Sequence, residues 1–172
     1  MLVEWNTNVQ DSKFVASYSG GKDSSLALYK AIQMGEAIAL IVMLEEQGQK
    51  SRSHGMSLDI IHAQAKAIGL PIYSASATWQ DYESQFIQLL QKTQALGAET
   101  LVTGDIDLMA HAEWNQSVCD KSELSLCMPL WQRPRLNIVH EFIQLGFQSI
   151  IVTVNLNLGM TVEDLGQVLS LE

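Results

Sequence analysis

Cysteine is scarce in this 172-residue chain: there are two, Cys119 and Cys127, and they lack a CxxC spacing. That excludes a disulfide-stapled scaffold and speaks against an iron–sulfur site. Basic residues are outnumbered, ten Lys and Arg against nineteen Asp and Glu, giving a formal net charge of −9. A surface of that sign argues against broad binding to nucleic acid or acidic membrane, since phosphate backbones need cations. Lys50/Arg52 and Arg133/Arg135 are the obvious basic pairs. No apolar run reaches membrane-spanning length, and the opening MLVEWNTNVQDSK has neither a basic start nor a signal-peptide core. Linkers, repeats and low-complexity tracts are missing too. What is present, 47% apolar and 17% charged residues, describes one folded domain over 1–172 with a real core, soluble and cytoplasmic in a reducing compartment.

One pattern recurs: an amphipathic helix, a glycine, then an apolar strand. Gly35 precedes EAIALIVML, Gly69 precedes LPIYSASA, Gly97 precedes AETLVT and Gly146 precedes FQSIIVTV. Glycine accepts the left-handed conformation that ends a helix, so each reads as a stop signal. Leu58, Ile61, Ala65 and Ile68 form one helical stripe; Tyr82, Phe86, Leu90 and Thr93 a second; Leu136, Val139 and Ile143 a third. The strands are nearly continuous apolar runs, as suits a parallel sheet buried on both faces. With 14–19 as the first strand, the expectation is α/β: a doubly wound parallel sheet of about five strands.

Ligands in such sheets bind beyond the carboxyl ends of the strands, here loops 19–24, 45–57, 77–81, 104–112 and 155–161. Loop 45–57, polar with two glycines, reads equally as a mobile lid or a disordered surface loop. In the first loop a strand feeds Ser19-Gly20-Gly21-Lys22-Asp23-Ser24-Ser25 into a helix. Two glycines, a helix N-terminus, a lysine and three serines describe a phosphate cradle. Ala16 stands where a Walker A loop needs its first glycine, and GxGxxG fails as well. Asp23 would repel bound phosphate unless a cation intervened, so Mg²⁺ is implied. The plain alternative is a structural glycine turn capped by Ser24.

SGGKDS at 19–24 resembles the pyrophosphate loop of the N-type ATP pyrophosphatases (the PP-loop superfamily). SRSHG at 51–55, GDID at 104–107, WNQSVC at 114–119 and PLWQRPR at 129–135 follow in the order of its diphthine–ammonia ligase (diphthamide synthase) branch. The resemblance implies a Rossmann-like fold of the adenine nucleotide alpha hydrolase-like kind. It implies an ATP-dependent ligase releasing AMP and pyrophosphate and forming an amide from a carboxylate and ammonia. Its implied partners are ATP, Mg²⁺, ammonia and a carboxylate acceptor, either a small molecule or a protein side chain. Two departures stand out. The branch usually continues into a GENGE-type motif, whereas this chain stops at GQVLSLE; a terminal Leu-Glu is also what an expression vector can leave, which keeps a truncated domain open. The branch also tends to carry an arginine after GDI, where this chain reads HAEW.

On this reading Lys22, Asp23 and Asp105 are the catalytic residues, with Asp23 and Asp105 as metal ligands. Ser19, Gly20, Gly21, Lys22, Asp23, Ser24, Ser25, Met43, His54 and Gly104 bind the nucleotide, adenine lying against backbone near Met43 and Leu44. Asp105 holds a second Mg²⁺ or orients ammonia; an Asx turn or helix cap is the equal alternative. His54 contacts a phosphate or the substrate carboxylate, or is a solvated loop histidine. His62 and His140 read as partly exposed helix residues, and His111 with Cys119 lacks zinc-ligand spacing. Arg133 or Arg135 clamps an anion, or is a surface arginine over an exposed Trp131. Trp79 and Trp114 read as packing at a cleft rim, and the two cysteines as reduced, partly buried thiols. Two other functions stay open: a tRNA-modifying PP-loop enzyme, against which the charge and the missing CxxC count, and a non-catalytic adenine-nucleotide sensor. A homo-oligomer is compatible with the sequence.

Overall fold

The structure, a computed structural model, describes residues 5–171. The first four residues of the N-terminal stretch and the terminal Glu172 lie outside the described residues. The chain divides into two compact units, Met1–Gln132 and Arg133–Glu172.

The first unit alternates strand and helix: β1 (Lys13–Ser17), α1 (Lys22–Ile32), β2 (Glu36–Leu44), α2 (Leu58–Ile68), β3 (Ile72–Ser76), α3 (Tyr82–Ala95), β4 (Thr100–Val102), α4 (Met109–Lys121) and β5 (Ser125–Cys127). All strand pairs are parallel and the order is β3-β2-β1-β4-β5. The order reverses between β1 and β4, which makes the crevice beyond their carboxyl ends the place for a ligand. The doubly wound α/β expectation holds.

Alternation along β2 explains the two layers. Ala39, Ile41 and Met43 join Val15, Leu101, Phe86, Leu90, Ala112, Val118 and Trp131 in one core. Val42 and Leu44 turn the other way and pack with Ile61 of α2. A parallel strand covered on both faces needs this unbroken apolar run, and burying each large side chain contributes about 1.5–3 kcal/mol. The α2 stripe buries Ile61 and Ala65 but leaves Ile68 at its exposed end. The α3 stripe buries Phe86, Leu89, Leu90 and Thr93.

Gly69, Gly97 and Gly146 adopt the expected positive φ of 83°, 104° and 85°. Gly35 does not. A Cβ there would lie 2.6 Å from the Ser12 carbonyl oxygen and 2.7 Å from that of Val9, so close backbone packing requires the glycine.

The expected last strand is corrected. Residues 147–154 form no strand beyond an isolated bridge from Ile150 to Val168, and Ile150 and Val152 are exposed. The fifth strand is Ser125–Cys127, too short and too poor in β-branched residues to announce itself. In the second unit, α5 (Arg135–Gln144) buries Ile138 and Phe142, while Leu136 of the expected stripe is exposed. Two short 3₁₀ turns follow, Leu156–Leu158 and Val162–Asp164. Among the described residues no helix is long and apolar enough to cross a membrane.

Candidate functional site

β1 ends at Ser17 and α1 begins at Lys22, so the glycine loop lies at the carboxyl end of the central strand, as the sequence suggests. Gly20 has φ 78°, the left-handed geometry that glycine tolerates. Ser24 is buried, and its hydroxyl donates to the Gly21 carbonyl at 3.1 Å. Gly21 is the residue before the helix and receives no side-chain cap, so Ser24 is not a helix cap. The backbone N–H groups of the first turn keep the unsatisfied donors that every helix start carries. Ser19 Oγ lies 3.1 Å from Ser24 Oγ and 3.1 Å from His54 Nε2. Ser25 Oγ lies 3.4 Å from the Tyr18 hydroxyl. Lys22 Nζ reaches Asp23 Oδ1 at 2.7 Å, both side chains about one-third exposed.

The loop after β4 meets this one through backbone. A Cβ on Gly104 would lie 2.8 Å from Asp23 C and 2.8 Å from Ser24 N, so only glycine allows the two turns to touch. Asp105 follows and is held by three side chains. Its Oδ2 accepts from Thr103 Oγ1 at 2.8 Å and from buried Asn115 Nδ2 at 2.7 Å. Its Oδ1 lies 3.1 Å from Nδ1 of the exposed His111. These partners place Asp105 as a fixed carboxylate rather than a helix cap; α4 begins after Leu108, with no side-chain cap. His111 and Asn115 sit four apart on one face of α4, a spacing that could have flagged the pair in advance.

Loop 45–57 is ordered. Glu45 accepts from the N–H groups of Gln47, Gln49 and Lys50, which lower its pKa, first through Gln49 and then Gln47. Ser51 is buried and its Oγ accepts from Met56 N at 3.2 Å. The disordered-loop reading is therefore corrected: local hydrogen bonds replace the missing apolar core. From this frame Arg52 donates its peptide N–H to the Met43 carbonyl at 3.1 Å and its Nη2 to the Ala77 carbonyl. The guanidinium stacks 4.3 Å from the centre of the exposed Trp79 ring and 6.0 Å from that of Tyr82. The sequence reading missed this role for Arg52. The Met43 side chain belongs to the core, and its carbonyl is taken by the Arg52 peptide N–H. His54 is half-buried; burial pushes its pKa below 6.5, and Lys22 adds to this against the opposing pull of Asp23.

Other expected site residues have their own partners or surroundings. Arg133 pairs with Glu141 on its own unit's helix. Trp131 is buried, edge-on to Trp5 with ring centres 6.3 Å apart, which corrects the expected exposed tryptophan. Trp114 packs against Phe86 and Tyr82. His62 and His140 are exposed. Cys119 and Cys127 are free and buried, and burial pushes both thiols up to about 12.

The donor set suits a phosphate and a hard cation. Among the described residues no cluster of three His, Cys, Asp or Glu could hold a metal by itself. Mg²⁺ does not need one, because it binds through one or two carboxylates together with phosphate oxygens and water. Asp23, beside a helix N-terminus and Lys22, has the chemistry such a ligand needs.

The sequence profile described as the diphthamide synthase N-terminal domain matches residues 12–126. The diphthine–ammonia ligase of Schizosaccharomyces pombe (strain 972 / ATCC 24843) is 25% identical over 178 residues, covering 92% of this chain and 29% of that protein. The chain thus spans under a third of that relative's length. A crystal structure described as a predicted subunit of tRNA methyltransferase, from Methanocaldococcus jannaschii DSM, superposes with a TM-score of 0.51 at 17% identity, over 77% of this chain and 76% of that one. At that identity the likeness concerns the fold.

Proposed function

The chain belongs to the diphthamide synthase N-terminal domain family, an ATP-using PP-loop family, and we propose that it activates a carboxylate with ATP and passes it to ammonia. The observation that carries this reading is the meeting of the glycine loop with Gly104–Asp105 at the point where the strand order reverses. A nucleotide needs phosphate donors on one side of that crevice and a positioned polar group on the other.

In the proposed reaction an acceptor carboxylate oxygen bonds to the α-phosphorus of ATP and pyrophosphate leaves. Ammonia then attacks the acyl carbon, AMP departs, and one proton is released as the amide forms. The α1 N-terminus, Lys22 and the hydroxyls of Ser19, Ser24 and Ser25 hold the pyrophosphate end and offset its developing charge. Mg²⁺, carried by Asp23, would supply Lewis-acid neutralisation of the phosphate oxygens. Asp105 is locked by Thr103, Asn115 and His111, so it orients the incoming nitrogen without first reorganising. A second Mg²⁺ at Asp105 is the other role these contacts allow, since ligating carboxylates are themselves hydrogen-bonded. The free thiols of Cys119 and Cys127 agree with work in a reducing cytoplasm.

A tRNA-modifying role has the fold in its favour, but the net charge of −9 opposes an RNA surface. The test is thermal unfolding with Mg·ATP, AMP and pyrophosphate, alone and combined, for wild type and Asp23→Ala. A ligand at 100 times its dissociation constant adds about 2.7 kcal/mol. Stabilisation by Mg·ATP that the variant loses supports the reading; no stabilisation of the wild-type chain by any of them defeats it.

A further inference from the structure

The glycine face of the phosphate loop is covered from within. A Cβ on Gly21 would lie 2.4 Å from His54 Nε2, and one on Gly20 would lie 2.3 Å from Met56 Cε and 2.6 Å from Gln64 Oε1. Glycine opens that space so that a ligand can approach the backbone, and here an imidazole, a methyl group and an amide oxygen fill it. This is a poor set for an anion. A thioether methyl offers no donor, and Gln64 Oε1 is an acceptor, buried and without a hydrogen-bond partner. The Ser19 hydroxyl, which would donate to a phosphate, is shared between His54 Nε2 and Ser24 Oγ, each 3.1 Å away.

We propose that His54 and Met56 form a plug seated in the phosphate cradle, anchored by Arg52, and that pyrophosphate or the phosphates of ATP must lift the plug in order to bind. The inference rests on the nucleotide reading above. The anchor is the Arg52 peptide on the Met43 carbonyl, with the guanidinium stacked on Trp79. The hinge is Gly55, with φ 63° and nothing within 4 Å of where a Cβ would stand, so the turn has room to swing. Three bonds close it: Gly55 N to the Ser51 carbonyl at 2.9 Å, Ser51 N to the Met56 carbonyl at 2.8 Å and Met56 N to Ser51 Oγ at 3.2 Å. Seating and phosphate binding exclude one another, so the measured affinity is the intrinsic one reduced by the unplugged fraction.

The test is titration of wild type, His54→Ala and Arg52→Ala with Mg·ATP and with pyrophosphate, after thermal unfolding has shown that each variant folds. A plug seated about nine-tenths of the time predicts about tenfold tighter binding once His54 is removed, and a smaller gain when the anchor goes. Weaker binding by His54→Ala would make His54 a phosphate ligand and overturn the plug while leaving the nucleotide site standing. Binding by none of the three proteins would overturn plug and nucleotide reading together. Hydrogen exchange on the wild type gives an answer that needs no variant. With saturating Mg·ATP the Gly55 and Met56 amides should exchange faster, whereas slower exchange would mean that the turn closes over the ligand instead.

Discussion

The loops after β1 and β4 stand side by side and are built on opposite plans. The first is made of glycines and small hydroxyls, and what it offers an anion is backbone; its charged pair, Lys22 and Asp23, satisfy each other at 2.7 Å. The second offers one carboxylate, Asp105, whose two oxygens are held by three side chains from its own loop and α4. The first plan suits a ligand whose charge the chain must receive, and the second a group whose direction must not change. Backbone donors are tolerant of small displacements, while a fixed carboxylate is not. On the proposed reading the pair divides binding from chemistry.

The largest effect should come from the first loop. Asp23→Ala should weaken Mg·ATP binding about 100-fold, near 2.7 kcal/mol, with the fold intact by circular dichroism. Full turnover in that variant would sink the assignment. Gly104→Ala joins the two plans, because its methyl must push Asp23 and Ser24 backbone aside. Chemical denaturation should show a loss of about 1–3 kcal/mol, together with weaker nucleotide binding. An unchanged protein would mean that the loops act independently. Asp105→Asn should separate them, leaving Mg·ATP affinity within about twofold while AMP formation slows by about tenfold or more. Equal loss of both would show that Asp105 belongs to the binding half.

Smaller still is a pH effect at His54. Its pKa lies below 6.5 in the folded chain, so under acid the unfolded chain binds the extra proton first. The contribution is fully present above pH 6.5 and is lost as pH falls toward the folded value, so stability should rise with pH across that window and then level off. His54→Gln should flatten melting temperature against pH, and a slope kept by the variant would assign it elsewhere. The smallest signal is chemical: with thiols raised to about 12, Cys119 and Cys127 should resist alkylation near pH 8 until the protein unfolds.

Much of the first loop was legible in the sequence, because its function lies in residue types whose conformational needs are local. Gly20, Lys22 and Ser24 announce a cradle wherever they follow a strand. The second loop was legible only as a carboxylate in a turn, since its meaning comes from Asn115 and His111, ten and six positions further along. The same distinction governs the fold. β2 announces itself through eight apolar residues in a row after Glu36, whereas β5 is three residues long and owes its place to pairing with β4. Residues 147–154 have the β-branched character of a strand, yet no neighbouring strand pairs with them, and propensity without a ladder leaves them irregular. Gly35 shows a right residue read for the wrong reason, since steric closeness to Val9 and Ser12 cannot be seen until the chain has folded.

The brevity of β5 bears on self-association. A sheet grows by lending unpaired peptide groups to a passing strand, and three residues offer too short a template to hold one. The opposite margin, β3, is five residues long and carries Ser74 and Ser76, small polar side chains that give an intruding apolar strand little to grip. Both margins therefore give extension of the sheet little to hold.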